Sequence, residues 1–244
     1  MKHDFKIEVP GGETRVLLHS CCAPCSGAII EYLVQHGIRP TVFFSNSNIT
    51  PDDEYRLRLQ ECKRYCSEMG VEFVEDEYDH GAWTCVARGL EAQPERGGRC
   101  LQCFRYRLER AARYAHEHGF KVLTTTLASS RWKSLEQVDA AGEYACSLYP
   151  GVIWWAQNWR KGGLQERRGE IIREQAFYNQ EFCGCEFSGP ELPPSCQSFA
   201  DAFSFIVKHK FHNERKSINF PKRHNICLCQ YRIRRFFRHF EIKP

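Results

Sequence analysis

From residue 15 to about residue 188, short apolar runs alternate with longer amphipathic stretches, and that alternation admits few folds. Residues 15–20 (RVLLHS), 41–45 (TVFFS), 71–78, 121–127 (KVLTTTL) and 152–156 read as strands, five to eight residues long and rich in aliphatic or β-branched side chains. Residues 26–37, 51–70, 100–119, 134–148 and 164–178 read as helices. Thr50 suits an N-cap and Pro51 a first helical turn, with Asp52, Asp53 and Glu54 at the positive end of the helix dipole. Gly37 and Gly119 suit helix ends. Such a chain buries its apolar faces as an α/β fold, a parallel sheet with helices on both faces. Ligands of open parallel sheets sit beyond the carboxyl ends of the strands. Residues 21–25, 46–48 and 129–131 follow the first, second and fourth strands, so this layout aims them at one edge.

The pattern stops after Ser188. Residues 189–195 (GPELPPS) read as a linker, and the remainder is basic and aromatic, with one short helix expected at 231–240. The expected division is therefore 1–188 as the catalytic α/β domain and 189–244 as linker plus basic C-terminal extension. From Phe205 onward there are eleven Lys and Arg against two acids, or +9; the totals of 34 and 30 leave 23 basic and 28 acidic residues before it, or −5. A basic extension on a slightly acidic body points to a nucleic-acid partner or to a solvated tail. The start, MKHDFKIEVPGGETR, is too polar for a secretory signal, and no run of about 18 apolar residues exists. The expectation is a cytoplasmic protein without a membrane span.

Fourteen cysteines stand out in such a chain. They fall in tight groups: His19-Ser-Cys21-Cys22-Ala-Pro-Cys25, Arg99-Cys100-Leu-Gln-Cys103 and Cys183-Gly-Cys185. Tight thiol pairs in a reducing compartment read as soft-metal ligands or redox thiols. Pro24 is expected to break any helix through the first group, and Gly184 to allow the close spacing of the third. Four thiolates are the usual complement of a [4Fe–4S] cluster. Cys22 and Cys25 with Cys100 and Cys103 also match a structural zinc site with four cysteine ligands. Compact zinc sites separate their pairs by about 15–20 residues, whereas 74 lie between Cys25 and Cys100. Cys62, Cys66 and Cys146 sit on helical faces and read as core.

These motifs resemble the cobalamin-independent epoxyqueuosine reductases of tRNA queuosine biosynthesis. The resemblance rests on HSCCAPCS (19–26), FFSNSNITPDDEYRLR (43–58), GGRCLQCFRYRLERAARYA (97–115), TTTLASS (124–130), NWRKGG (158–163) and FYNQEFCGCEFS (177–188), in the family's order. It implies a Rossmann-like (HUP-like) fold and reduction of the epoxide of epoxyqueuosine, the tRNA wobble base, to the alkene of queuosine. It implies a [4Fe–4S] cluster on Cys21, Cys22, Cys100 and Cys103, with one additional iron beside it. Cys183 and Cys185 would then be the redox pair or ligands of that second metal, and Cys25 matches the motif as a further metal candidate. The chain departs from the family at Phe44-Ser-Asn-Ser-Asn48, where Tyr-Asn-Pro-Asn is common, and at Asn158, where Asp is common.

The residues suggest a mechanism. Removing an epoxide oxygen takes two electrons, and a cluster passes one at a time, so a thiol pair or metal must assist and an external electron donor is implied. His19 and Asp79 are candidate proton donors; alternatively His19 is a hydrogen-bonded strand-end residue and Asp79 a helix cap. Arg99, Arg131, Lys133, Arg160 and Lys161 are candidate tRNA contacts, and Trp132, Trp155 and Phe104 candidate base-stacking groups. Arg107, Arg110 and Arg113 could instead form a solvated helix face. Two other readings stay open: a cluster-dependent tRNA sulfur-transfer enzyme, for which no phosphate loop follows the first strand, and a non-catalytic, zinc-stabilised RNA-binding module.

Overall fold

The computed structural model describes residues 7–180 and 182–188. The expected linker, the basic extension and its helix at 231–240 lie outside the described residues. Eleven elements follow in order: β1 (Arg15–Ser20), α1 (Ala23–Gln35), β2 (Arg39–Phe44), α2 (Asp52–Glu68), β3 (Glu72–Glu75), α3 (His80–Ala87), α4 (Gly98–Glu117), β4 (Val122–Thr125), α5 (Leu135–Ser147), β5 (Ile153–Trp154) and α6 (Leu164–Glu174). The strands pair in parallel in the order β3-β2-β1-β4-β5. The α/β fold expected from the alternation is the one observed. Helix α1 packs on α2 and α6, and α4 packs on α3 and α5, which gives two helical layers.

The centre of the sheet explains the composition of its strands. Val16, Leu17 and Leu18 of β1 are fully buried, as a strand covered on both faces requires. The chain runs outward from β1 through β2 to β3, then returns to β4 on the other side of β1. The crevice beyond β1 and β4 is therefore the topological switch point, where such sheets bind ligands.

Several expected boundaries move for local reasons. Pro24 does not break a helix; it lies in the first turn of α1, where its missing N–H is not needed. Cys22 becomes the N-cap, and Cys25 lies inside the helix. Pro51, rather than Thr50, precedes α2 as its N-cap. The fourth strand ends at Thr125, whose side chain accepts a hydrogen bond from Leu127 N and starts a 3-10 turn over Thr126–Ser129. The third strand keeps only four residues, and α6 ends at Glu174.

Gly142 of α5 permits a close approach: a Cβ there would collide with the Trp154 ring of β5. Cys62, Cys66 and Cys146 are buried, as their helical positions imply. No helix among the described residues is long and apolar enough to cross a membrane.

Candidate functional site

The first thiol group grows directly from the central strand. Its backbone is tied to both neighbouring strand ends: Asn46 Nδ2 donates to Ser20 O at 2.9 Å, and Cys21 N donates to Thr126 Oγ1 at 3.1 Å. Ser26 Oγ donates to Cys22 O at 2.7 Å and closes the turn into α1. The sulfurs of Cys21, Cys22 and Cys25 are buried and lie within 4.8 Å of one another, a set able to hold a metal ion or cluster. Without metal, Cys21 is pulled below the ordinary thiol range because it accepts hydrogen bonds from Cys22 and then Cys25. Its bond to Cys21 pushes Cys22 up, and Cys25 is pushed up to about 12, first by its bond to Cys21. One thiolate among three close thiols makes each further ionisation harder, and a soft cation is what relieves that repulsion.

The second group sits at the start of α4. Cys100 is in the first turn and its sulfur accepts from Arg96 N at 3.3 Å. Burial raises the Cys100 thiol and raises Cys103 to about 11. The third group is a turn after α6. Gly184 has φ +112°, a conformation that favours glycine. Thr50 N donates to Gly184 O at 2.9 Å, and Arg58 donates from Nη1 to Cys183 O at 3.0 Å and from Nη2 to Phe182 O at 3.2 Å. Cys183 and Cys185 are free thiols. A cavity of about 510 Å³ joins the groups, with Cys25, Cys100, Cys183 and Cys185 in its lining. Cys103 packs beside Cys185, with Trp83 and Phe187.

Positive charge surrounds these thiols. Lys133 lines the cavity. Burial pulls its ammonium down, but Cys183, Cys21 and Cys25 outweigh this and hold it above the usual lysine range. Arg107 is no solvated helix residue: it is buried, donates from Nε to Ser45 O at 3.1 Å and from Nη2 to Asn46 Oδ1, and joins no ion pair among the described residues. Arg110 of the same expected face pairs with Asp76 at 2.8 Å. Sequence reasoning missed the inward roles of Arg58 and Arg107, because periodicity cannot tell a buried guanidinium from a solvated one.

The remaining candidates separate by geometry. His19 is fully buried; Nδ1 lies 2.7 Å from Thr125 Oγ1 and Nε2 lies 3.1 Å from Ser45 O. A carbonyl only accepts, so Nε2 carries the proton and Nδ1 accepts from Thr125. Burial, then Arg107, lowers His19 to about 3, so the ring stays neutral and bridges β1 to its neighbours. Asp79 caps α3 through Ala82 N at 2.8 Å. Arg99 is buried and donates to Glu91 O at 2.7 Å; Arg160 donates to Ser130 O and Lys133 O. Arg131 and Lys161 are exposed. Of the stacking candidates, Trp155 and Phe104 are 4% and 2% exposed, and Trp132 is 78% exposed.

A profile of the epoxyqueuosine reductase QueH family matches residues 16–191. The chain is 46% identical over 183 residues to epoxyqueuosine reductase QueH of Haemophilus influenzae, covering 75% of each chain. It is 45% identical over 187 residues to that of Acinetobacter baylyi, covering 77% of this chain and 86% of the relative. The Thermotoga maritima protein of the same name is 30% identical over 176 residues, covering 71% and 89%. The matched span contains all three thiol groups and every strand but the first residue of β1, and on that extent of similarity the chain belongs to the epoxyqueuosine reductase QueH family.

Proposed function

We propose that this protein reduces epoxyqueuosine to queuosine at the wobble position of tRNA, in the cytoplasm, with a [4Fe–4S] cluster and one additional iron. The observation that carries the reading is the convergence of the thiol groups at the sheet's switch point, on one cavity. The donor set fits a soft iron centre: every candidate ligand is a cysteine, most are buried, and two of the groups stand at helix N-termini, which favour thiolates. Cys21, Cys22, Cys100 and Cys103 would hold the cluster. Cys25, Cys183 and Cys185 remain for the second iron or for thiol redox chemistry. When bound, the centre supplies one-electron transfer and a Lewis acid for oxygen.

The overall step consumes the epoxide, two electrons and two protons, and yields the alkene and water. Closing the Cys183/Cys185 dithiol to a disulfide would release two electrons and two protons, and an external donor would reopen it. Such a disulfide, spanning one residue, is strained and easily reduced. Lys133 would place positive charge where the departing oxygen gains negative charge. Arg58 and Thr50 hold the backbone of the Cys183 turn against the cavity. The test is anaerobic incubation of the iron-loaded protein with tRNA bearing epoxyqueuosine and a chemical reductant, followed by nucleoside mass analysis. Loss of one oxygen from the nucleoside is expected. No conversion by a protein with full iron and sulfide would end the proposal.

A further inference from the structure

We propose that Trp132 is the stacking platform for the nucleobase next to the one that enters the thiol cavity. The inference rests on the tRNA reading above. All five tryptophans lie in described residues. Trp83, Trp155 and Trp159 are buried and Trp154 packs against Gly142, while Trp132 leaves most of its ring in solvent. A single exposed aromatic needs no explanation by itself. This one stands on a loop whose every carbonyl is held. Arg96 donates from Nη2 to Arg131 O and from Nε to Trp132 O, both at 3.0 Å. Arg160 Nη2 donates to Ser130 O at 2.6 Å and to Lys133 O at 2.8 Å. Four consecutive carbonyls are thus fixed by two guanidiniums. Arg96 itself adopts a left-handed conformation (φ +63°), which costs energy in a non-glycine residue. The backbone is held firmly beneath a side chain that makes little use of the protein's own interior, which is how a preorganised contact residue is built.

Position adds the second argument. Trp132 lines the thiol cavity, and it also lines a neighbouring depression of about 360 Å³ with Arg131, Gln165, Glu166 and Arg168. The indole is therefore common to both hollows. Arg168 is shared as well, and Arg131 and Arg168 join no ion pair among the described residues. Two guanidiniums outside any ion pair, against one carboxylate, favour a phosphate-bearing strand. A base everted into the thiol cavity loses its stacking partners. Its neighbour, lying in the adjacent depression, regains a partner on the exposed indole, with its phosphate near Arg131 or Arg168.

The experiment compares the iron-loaded wild type with Trp132→Ala and Trp132→Phe, using an unmodified RNA anticodon stem-loop hairpin as the probe. Alanine should weaken hairpin binding about tenfold and phenylalanine less than about threefold, as expected for base–aromatic stacking. Bound hairpin should quench the exposed tryptophan emission in the wild type and not in the alanine variant. Unchanged melting temperature and iron content would show that the variants fold. Equal hairpin affinity of wild type and Trp132→Ala overturns the assignment, and so does a phenylalanine variant as weak as alanine; in both cases epoxide reduction by the wild type would leave the functional reading intact. A wild type that neither binds the hairpin nor reduces the epoxide overturns that reading, and the Trp132 assignment with it.

Discussion

The Cys21–Cys25 segment and the Cys183–Cys185 turn carry the same side-chain chemistry on opposite kinds of support. The first continues the central strand, is buried throughout, and is hydrogen-bonded to the ends of both neighbouring strands. The second is a loop whose backbone is tied down by Arg58 and by Thr50 N, with Cys183 half-buried. Rigid support suits ligands that must keep their geometry when a metal loads. A tethered turn suits thiols that must open and close. Under the proposal above, the difference would suit the first region to holding a metal centre and the second to thiol redox chemistry.

The largest expected effect breaks the comparison directly. Cys21→Ser should abolish iron and acid-labile sulfide in the purified protein. Cys183→Ser should keep most of its iron while epoxide turnover falls at least about a hundredfold. Equal iron loss in both variants would erase the distinction between the regions. Next comes Arg58→Met. It removes a buried guanidinium that pairs with Glu54 at 2.6 Å and holds two turn carbonyls. A loss of about 3 kcal/mol is expected by urea unfolding, since a half-removed buried pair leaves its partner charge behind. Cleavage by a protease should then concentrate near the turn; uniform cleavage along the chain would show that Arg58 supports the whole fold instead. The smallest effect concerns the rigid region. His19→Phe leaves Thr125 Oγ1 without its ring partner, while Ser45 O keeps Arg107 Nε. A loss of about 1–2 kcal/mol is expected, with turnover per bound iron unchanged. Turnover that vanished in a stable, iron-loaded variant would make His19 a proton donor after all.

Much of this fold was readable from periodicity. The apolar run RVLLHS became β1, TVFF became the last four residues of β2, and the charged amphipathic stretch from Cys100 became most of α4. Cysteine spacing likewise pointed to the site. What failed to show was context. Pro24 reads as a breaker in isolation and as a helix starter once Cys22 is seen as the N-cap. Arg107, Arg110 and Arg113 share a helical face on paper, yet the sheet edge buries the first and Asp76 claims the second. Aromatic candidates for stacking look alike in sequence; only packing separates a core Trp155 from an outward Trp132.

Arg107 carries one more consequence. Its guanidinium is sealed inside and joins no ion pair among the described residues, and it acts on His19, Cys21 and Cys103. A buried cation of this kind is compensated only in part by the single Cys21 thiolate, and more fully once the other thiols ionise around a metal. Chains that hold a metal or cluster would therefore outlast those that do not. In a cell that clears unfolded protein continuously, the standing amount of this enzyme would follow the supply of metal, with no dedicated sensor.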